Sequence, residues 1–178
     1  MSRHPRPETT DSLVVPSPLG PLLLTASPAG LTRLCFAGQA GVCAAAADEN
    51  IATPEAERRE CGQLLHLAGE QLAAYFAGRL RVFALPLDEG GTSFQRQVWQ
   101  ALRGIPYGRT CSYTELAAAV GRPRACRAVG NANGKNPLPI VTPCHRVIHA
   151  DGGLGGYSAG LSVKRFLLAL EGAVLRRA

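Results

Sequence analysis

The spacing of apolar residues changes character once along this chain, near residue 88, and that change divides it into two small folding units in series. Up to residue 38, LVVPSPLGPLLLTASPAGLTRLCFAG is a set of short apolar runs cut by Pro and Gly. That is the pattern of strands and turns, with a hairpin across SPAG. The Ala-rich tract AGQAGVCAAAADENIATPEAE that follows has no clear period. ERRECGQLLHLAGEQLAAYFAGR then repeats apolar residues at Leu64, Ala68, Leu72 and Phe76, with Leu65 and Tyr75 beside them, which predicts a helix. Residues 1–88 therefore read as a small α/β domain with a short antiparallel sheet, closed by the acidic Gly-Gly turn in VFALPLDEGGTS.

Residues 89–178 read as short helices. TSFQRQVWQALRG opens on a Thr/Ser cap, sets Phe94, Val98, Trp99 and Leu102 on one face and stops at Gly104. In SYTELAAAVG, Ser112 and Glu115 stand at capping-box spacing and Gly121 ends the run. Pro123 then opens a further helix in PRACRAVGNANGKN. Two short helices about a tight Gly-containing turn are the signature of a helix-turn-helix, here winged-helix-like within an overall α+β chain. Ala125, Cys126, Ala128, Gly130 and Ala132 leave the second helix nearly bare, with Arg122, Arg124 and Arg127 at its start. A bare helix either packs tightly inside the protein or lets a partner approach closely, and three arginines argue against complete burial.

Charge separates the halves as well. Residues 1–89 carry ten acids and seven bases, whereas residues 90–178 carry three acids and twelve bases. Seventeen of the nineteen bases are Arg, the side chain suited to phosphate forks and base stacking. A solvated basic face and a nucleic-acid surface both fit this composition. The polar start MSRHPRPETTDSL has no apolar core of a signal peptide, and no run reaches membrane-spanning length, so the expected location is the cytoplasm.

Six cysteines, at 35, 43, 61, 111, 126 and 144, form no CxxC and no zinc-type spacing, so reduced thiols without a metal are expected. Cys35, Cys61 and Cys126 fall in predicted strand or helix. Cys144, in PIVTPCHRVIHA, has a proline before it and an imidazole after it. A buried structural thiol is one reading. The other is a nucleophile: Pro143 at a first helical position would place Cys144 at a helix N-terminus, where the dipole favours thiolate. Adjacent side chains project in different directions, so a water between Cys144 and His145 is more plausible than direct contact. Glu171, in the last turn of SVKRFLLALEG, opposes the helix dipole and so asks for a separate reason. Asn136 before Pro137 reads by default as a turn residue, and Tyr113 as a half-buried aromatic.

From Gly91 to Gly172 the segments GTSFQRQVW, IPYGRTCSYTELA, RAVGNANGKNPLPIVTPCHRVI, GGYSAGL and LLALEG, in unbroken order, resemble the O6-alkylguanine-DNA alkyltransferases, also called methylated-DNA–protein-cysteine methyltransferases. The first half is similar to that family's variable α/β domain in size and pattern. The resemblance implies one-step, single-turnover repair of O6-alkylguanine, with O4-alkylthymine an open second substrate. A cysteine thiolate takes the alkyl group from a guanine flipped out of duplex DNA and keeps it.

By similarity Cys144 is the acceptor, His145 draws its proton through a water, Glu171 orients and charges the imidazole, and Asn136 braces the two helices that build the site. The Tyr113 hydroxyl faces the base while its ring pushes the 3′ phosphate. Val147 and Ser158 line the guanine pocket through backbone groups, and Tyr157 forms part of its wall. Arg127 is the finger that enters through the minor groove and fills the gap left by the nucleotide, with Arg122 and Arg124 beside it on the DNA surface. A monomer without cofactor, acting on double-stranded DNA, is expected. Thr142 and Asn133 depart from residues usual in the family, aliphatic at the first and apolar in some members at the second. An alkyltransferase-like sensor would lack the acceptor cysteine, and a transcription regulator would need major-groove side chains that the Ala/Gly helix does not supply.

Overall fold

The computed structural model describes residues 10–36 and 55–173. The chain divides into two compact units, Met1–Gly90 and Gly91–Ala178. In the first, β1 (Asp11–Val15), β2 (Leu22–Ser27) and β3 (Gly30–Phe36) form an antiparallel sheet in that order. Ser27 pairs with Gly30 across the SPAG turn, and the Ser27 hydroxyl accepts the Ala29 N–H at 3.2 Å. The register shifts between Thr25 and Ala26, giving β3 one extra residue. Gly30 is required by close approach, since a Cβ there would meet the Leu87 backbone at 2.8 Å. Residues 86–88 strap β3 through Leu31 N–H to Pro86 O and Asp88 N–H to Leu31 O, both 2.9 Å.

Helix α1 (Glu55–Phe76) lies against this sheet. Its buried stripe is Cys61, Leu65, Ala68, Leu72 and Tyr75. The helix is as the sequence predicts, but the stripe is rotated: Leu64 and Phe76 are only half-buried. Cys61 fills an apolar position that a hydrophobicity reading of the tract passes over, because free Cys packs as a small hydrophobe. The tract at 37–54, with Cys43, lies outside the described residues.

The second unit begins with α2 (Ser93–Arg103), whose Thr92 cap and Gln95 side chain close a capping box. Val98, Trp99 and Leu102 are its buried residues. A two-residue strand, β4 (Cys111–Ser112), runs into α3 (Tyr113–Ala119), where Ser112 and Glu115 close the second box. The partner helix α4 (Cys126–Gly134) starts later than its sequence suggests. Pro123 sits in a turn, so Arg122 and Arg124 lie before the helix and only Arg127 is on it; all three are exposed. Ala125 offers no capping side chain, which leaves the start of α4 to turn geometry rather than to composition.

One face of α4 buries Val129, Ala132 and Asn133, and the other leaves Arg127 and Ala128 in solvent. The Trp99 indole donates to Ala132 O at 2.9 Å, fixing α4 against α2. After a loop comes a single 3₁₀ turn, Cys144–Arg146, then β5 (Val147–Ile148), parallel to β4, and α5 (Leu161–Leu170). Among the described residues no helix is long and apolar enough to cross a membrane.

Candidate active site

The approach to Cys144 is built by backbone geometry. Pro143 has φ −80° and ψ 65°, and Cys144 N–H donates to Thr142 O at 2.8 Å. This is an inverse γ-turn. The expected helix N-terminus is therefore absent: three residues of 3₁₀ turn align too few peptide dipoles to stabilise a thiolate. Ile140, buried and β-branched, holds φ 75°, a left-handed conformation such residues rarely adopt. Asn136 holds the loop in place. Its Nδ2 donates to Thr142 O at 2.7 Å and its Oδ1 accepts Leu138 N–H at 3.0 Å.

Cys144 is 3% exposed, and burial pushes its thiol above the usual cysteine range. Hydrogen bonding from Asn136 and Tyr157 and the charge of Lys164 pull the other way. At rest the sulfur is a protonated thiol among groups that favour the anion. Lys164 is itself fully buried, which lowers it to about 8, and it donates to Val147 O at 2.6 Å and to Leu154 O.

Behind the thiol lies a buried charge cluster. His145 Nε2 is 2.9 Å from Glu171 Oε1, and both side chains are inaccessible. Arg146 grips the same carboxylate, Nε to Oε2 and NH2 to Oε1 at 2.9 Å each, and donates through NH1 to Ile105 O at 2.5 Å. Gly108 N–H reaches Oε2 at 3.1 Å. Burial opposes the Glu171 charge, but the hydrogen bonds and charges of His145 and Arg146 outweigh it and hold the carboxyl far below its usual range. Burial lowers His145 more than Glu171 raises it, so the imidazole is neutral. An ionised carboxylate only accepts, so Nε2 carries the proton and Nδ1 is left as a lone-pair acceptor. Nδ1 is buried and has no hydrogen-bond partner in the protein. A thiol proton and a vacant imidazole lone pair thus stand one residue apart in the chain.

A cavity of about 250 Å³ opens onto Cys144, lined by Tyr113, Gly130, Asn133, Gly134, Gly156, Tyr157 and Ser158. Of the residues singled out in the sequence, Cys144, Tyr113, Tyr157, Ser158 and Asn133 share this wall. His145 and Glu171 stand in the protein interior, and Asn136 acts through the loop. Val147 is buried outside the lining with its carbonyl engaged by Lys164. Arg127 lies on α4, with Arg122 and Arg124 in the turn before it.

Arg146, Lys164 and Gly108 are participants that sequence reasoning passes over. Gly108 had a signal in IPYGRT: at φ +73° a Cβ would meet Glu171 O at 2.8 Å, so only glycine brings its N–H to the carboxylate.

Residues 93–173 match the family described as 6-O-methylguanine DNA methyltransferase, DNA binding domain, and residues 13–89 match its ribonuclease-like domain. A methylated-DNA–protein-cysteine methyltransferase of Methanosarcina barkeri is 46% identical over 163 residues, 92% of this chain and 98% of that protein. The constitutive one of Bacillus subtilis is 44% identical, over 87% of this chain and 91% of its own length. Among solved structures, Mycobacterium tuberculosis OGT in complex with DNA superposes with a TM-score of 0.76 at 45% identity, covering 89% of this chain and 91% of that one.

Proposed function

This chain belongs to the methylated-DNA–protein-cysteine methyltransferases, DNA repair enzymes that act by alkyl transfer, and we propose that its acceptor is Cys144 and its substrate an O6-alkylguanine flipped out of duplex DNA. The observation that carries this reading is the pairing of a buried thiol on the cavity wall with a neutral imidazole whose Nδ1 has no protein partner. A water between them takes the thiol proton to His145, and Glu171 stabilises the imidazolium that forms. The thiolate attacks the alkyl carbon. An S–C bond forms as the C–O6 bond breaks, the electron pair stays on the purine, and the purine gains one proton to become guanine. The proton lost by the thiol and the proton gained by the base balance.

The product is a thioether, which offers no easy leaving group for hydrolysis, so each protein acts once. Tyr113, Tyr157 and Ser158 bound the base in the cavity. Exposed Arg127 takes the place of the extruded nucleotide from the minor groove, with Arg122 and Arg124 on the phosphates. Incubation with duplex carrying [methyl-³H]O6-methylguanine, followed by a denaturing gel and peptide mapping, tests the assignment. The expected result is one label per chain at Cys144, lost in Cys144→Ser with DNA binding retained; multiple turnover, or label at Cys126, overturns it.

A further inference from the structure

Helix α4 presents three positions to the cavity beside Cys144: Gly130, Asn133 and Gly134. They are spaced i, i+3 and i+4 and so share one face. Two are bare, so Asn133 is the only side chain this helix contributes to the wall. Asn133 is 5% exposed and its Oδ1 is buried without a hydrogen-bond partner. The surroundings do not relieve it, because α4 is already pinned by the Trp99 indole on Ala132 O, one residue away. A buried amide oxygen without a donor is uncommon in folded proteins and points to a partner from outside the chain.

From these observations we infer that Asn133 is a specificity-determining residue, a hydrogen-bond acceptor in the adduct pocket that favours O6-(2-hydroxyalkyl)guanines over unsubstituted alkyl adducts of equal size. The inference rests on the reading that this cavity receives the flipped base. Cys144 must meet the first carbon of the adduct, so the rest of the adduct lies in the same small cavity that Asn133 lines. A 2-hydroxyethyl group there brings an O–H donor. An n-propyl group has the same number of heavy atoms and the same primary reacting carbon, but it leaves the oxygen unpaired. The bonds made and broken are those of methyl transfer, so the two adducts differ only in what they offer to the pocket wall.

The experiment uses the full chain, Asn133→Leu and Asn133→Ala, with duplexes carrying one O6-methyl-, O6-n-propyl- or O6-(2-hydroxyethyl)guanine, and single-turnover rates read from the mass of the Cys144 peptide. The hydroxyethyl-to-propyl rate ratio is expected to be roughly threefold to tenfold higher in the wild type than in either variant, the worth of one net hydrogen bond. Asn133→Ala, which adds no bulk, supplies the comparison if the leucine variant does not fold. Equal ratios in the three proteins overturn the inference. So does a uniform loss on all three adducts, which places the amide against the base. Methyl transfer by the wild type separates the two levels: its absence overturns the site reading together with the inference, whereas its presence with equal ratios overturns the inference alone.

Discussion

His145 Nε2 and Glu171 Oε1 meet at 2.9 Å with both side chains removed from solvent, and the carboxylate is shared with a bidentate Arg146. Removing the carboxylate charge from such a cluster leaves the Arg146 guanidinium buried without its counter-charge, at a cost of about 3–5 kcal/mol. Glu171→Gln is therefore expected to lower stability by about 3 kcal/mol or more as well as slow alkyl transfer. Urea unfolding checks this; a midpoint within error of the wild type at an unchanged slope would show that the cluster is not holding the fold.

The same pair fixes the acid side of the stability profile. The His145 pKa is lower folded than unfolded, so below about 6.5 the unfolded chain binds the extra proton and stability falls as pH drops. The folded Glu171 pKa is depressed from 4.5, so its contribution is present above that value and is lost as pH falls further. Two successive losses are expected on acidification, the first absent from His145→Gln. A wild-type profile flat from pH 7 to 5 would contradict the first direction, and one flat from pH 4.5 down to 2 the second.

Thr142 is fully buried, and its hydroxyl accepts from exposed Arg103 NH1 at 3.2 Å while its carbonyl accepts from Asn136 and from the backbone N–H of Cys144. The end of α2 is thus tied to the loop that presents the nucleophile. A double-mutant cycle of Thr142→Val and Arg103→Ala is expected to show a coupling of about 0.5–1.5 kcal/mol. Strict additivity would mean that the contact is not energetically used.

The parts of the fold that are local in sequence were legible there. The cap at the start of α2, the Ser112–Glu115 capping box, the SPAG hairpin and the paired helices each depend on residues within a few positions of one another. The acceptor was legible for a similar reason, since Pro143, Cys144 and His145 are contiguous. Its electrostatics were not: Arg146 reaches Glu171 across 25 residues and Gly108 across 63, and no local pattern marks such a pair. Lys164 was passed over because lysine is rarely buried, and here two backbone carbonyls satisfy it. The dipole argument for Cys144 failed because Pro143 adopts ψ 65° rather than a helical value, a choice set by Asn136 and the strained Ile140 backbone.

Alkylation should weaken the fold. A methyl on the sulfur of a residue only 3% exposed overpacks the site by about 1–3 kcal/mol and removes the S–H group. At roughly 2–4 °C per kcal/mol for a chain of this size, the methylated protein is expected to melt several degrees lower at matched pH. An equal or higher midpoint by calorimetry would mean that the cavity accepts the methyl without strain.

Arg127 allows DNA handling to be separated from chemistry. It is exposed near the start of α4, while Gly130, Asn133 and Gly134 of the same helix line the cavity. If it holds the place of an extruded nucleotide, Arg127→Ala leaves the unstacking cost of a few kcal/mol without compensation and slows repair of duplex DNA strongly. Reaction with free O6-benzylguanine requires no flipping and is expected to change little. His145→Ala, by contrast, is expected to slow both reactions together, because both need the thiolate. Added salt should weaken DNA binding of wild type and Arg127→Ala in parallel, since most released counterions come from the other basic contacts. The decisive rate is that of Arg127→Ala on the free base: if it falls as far as the duplex rate, Arg127 supports the pocket itself and is not the group that replaces the flipped nucleotide.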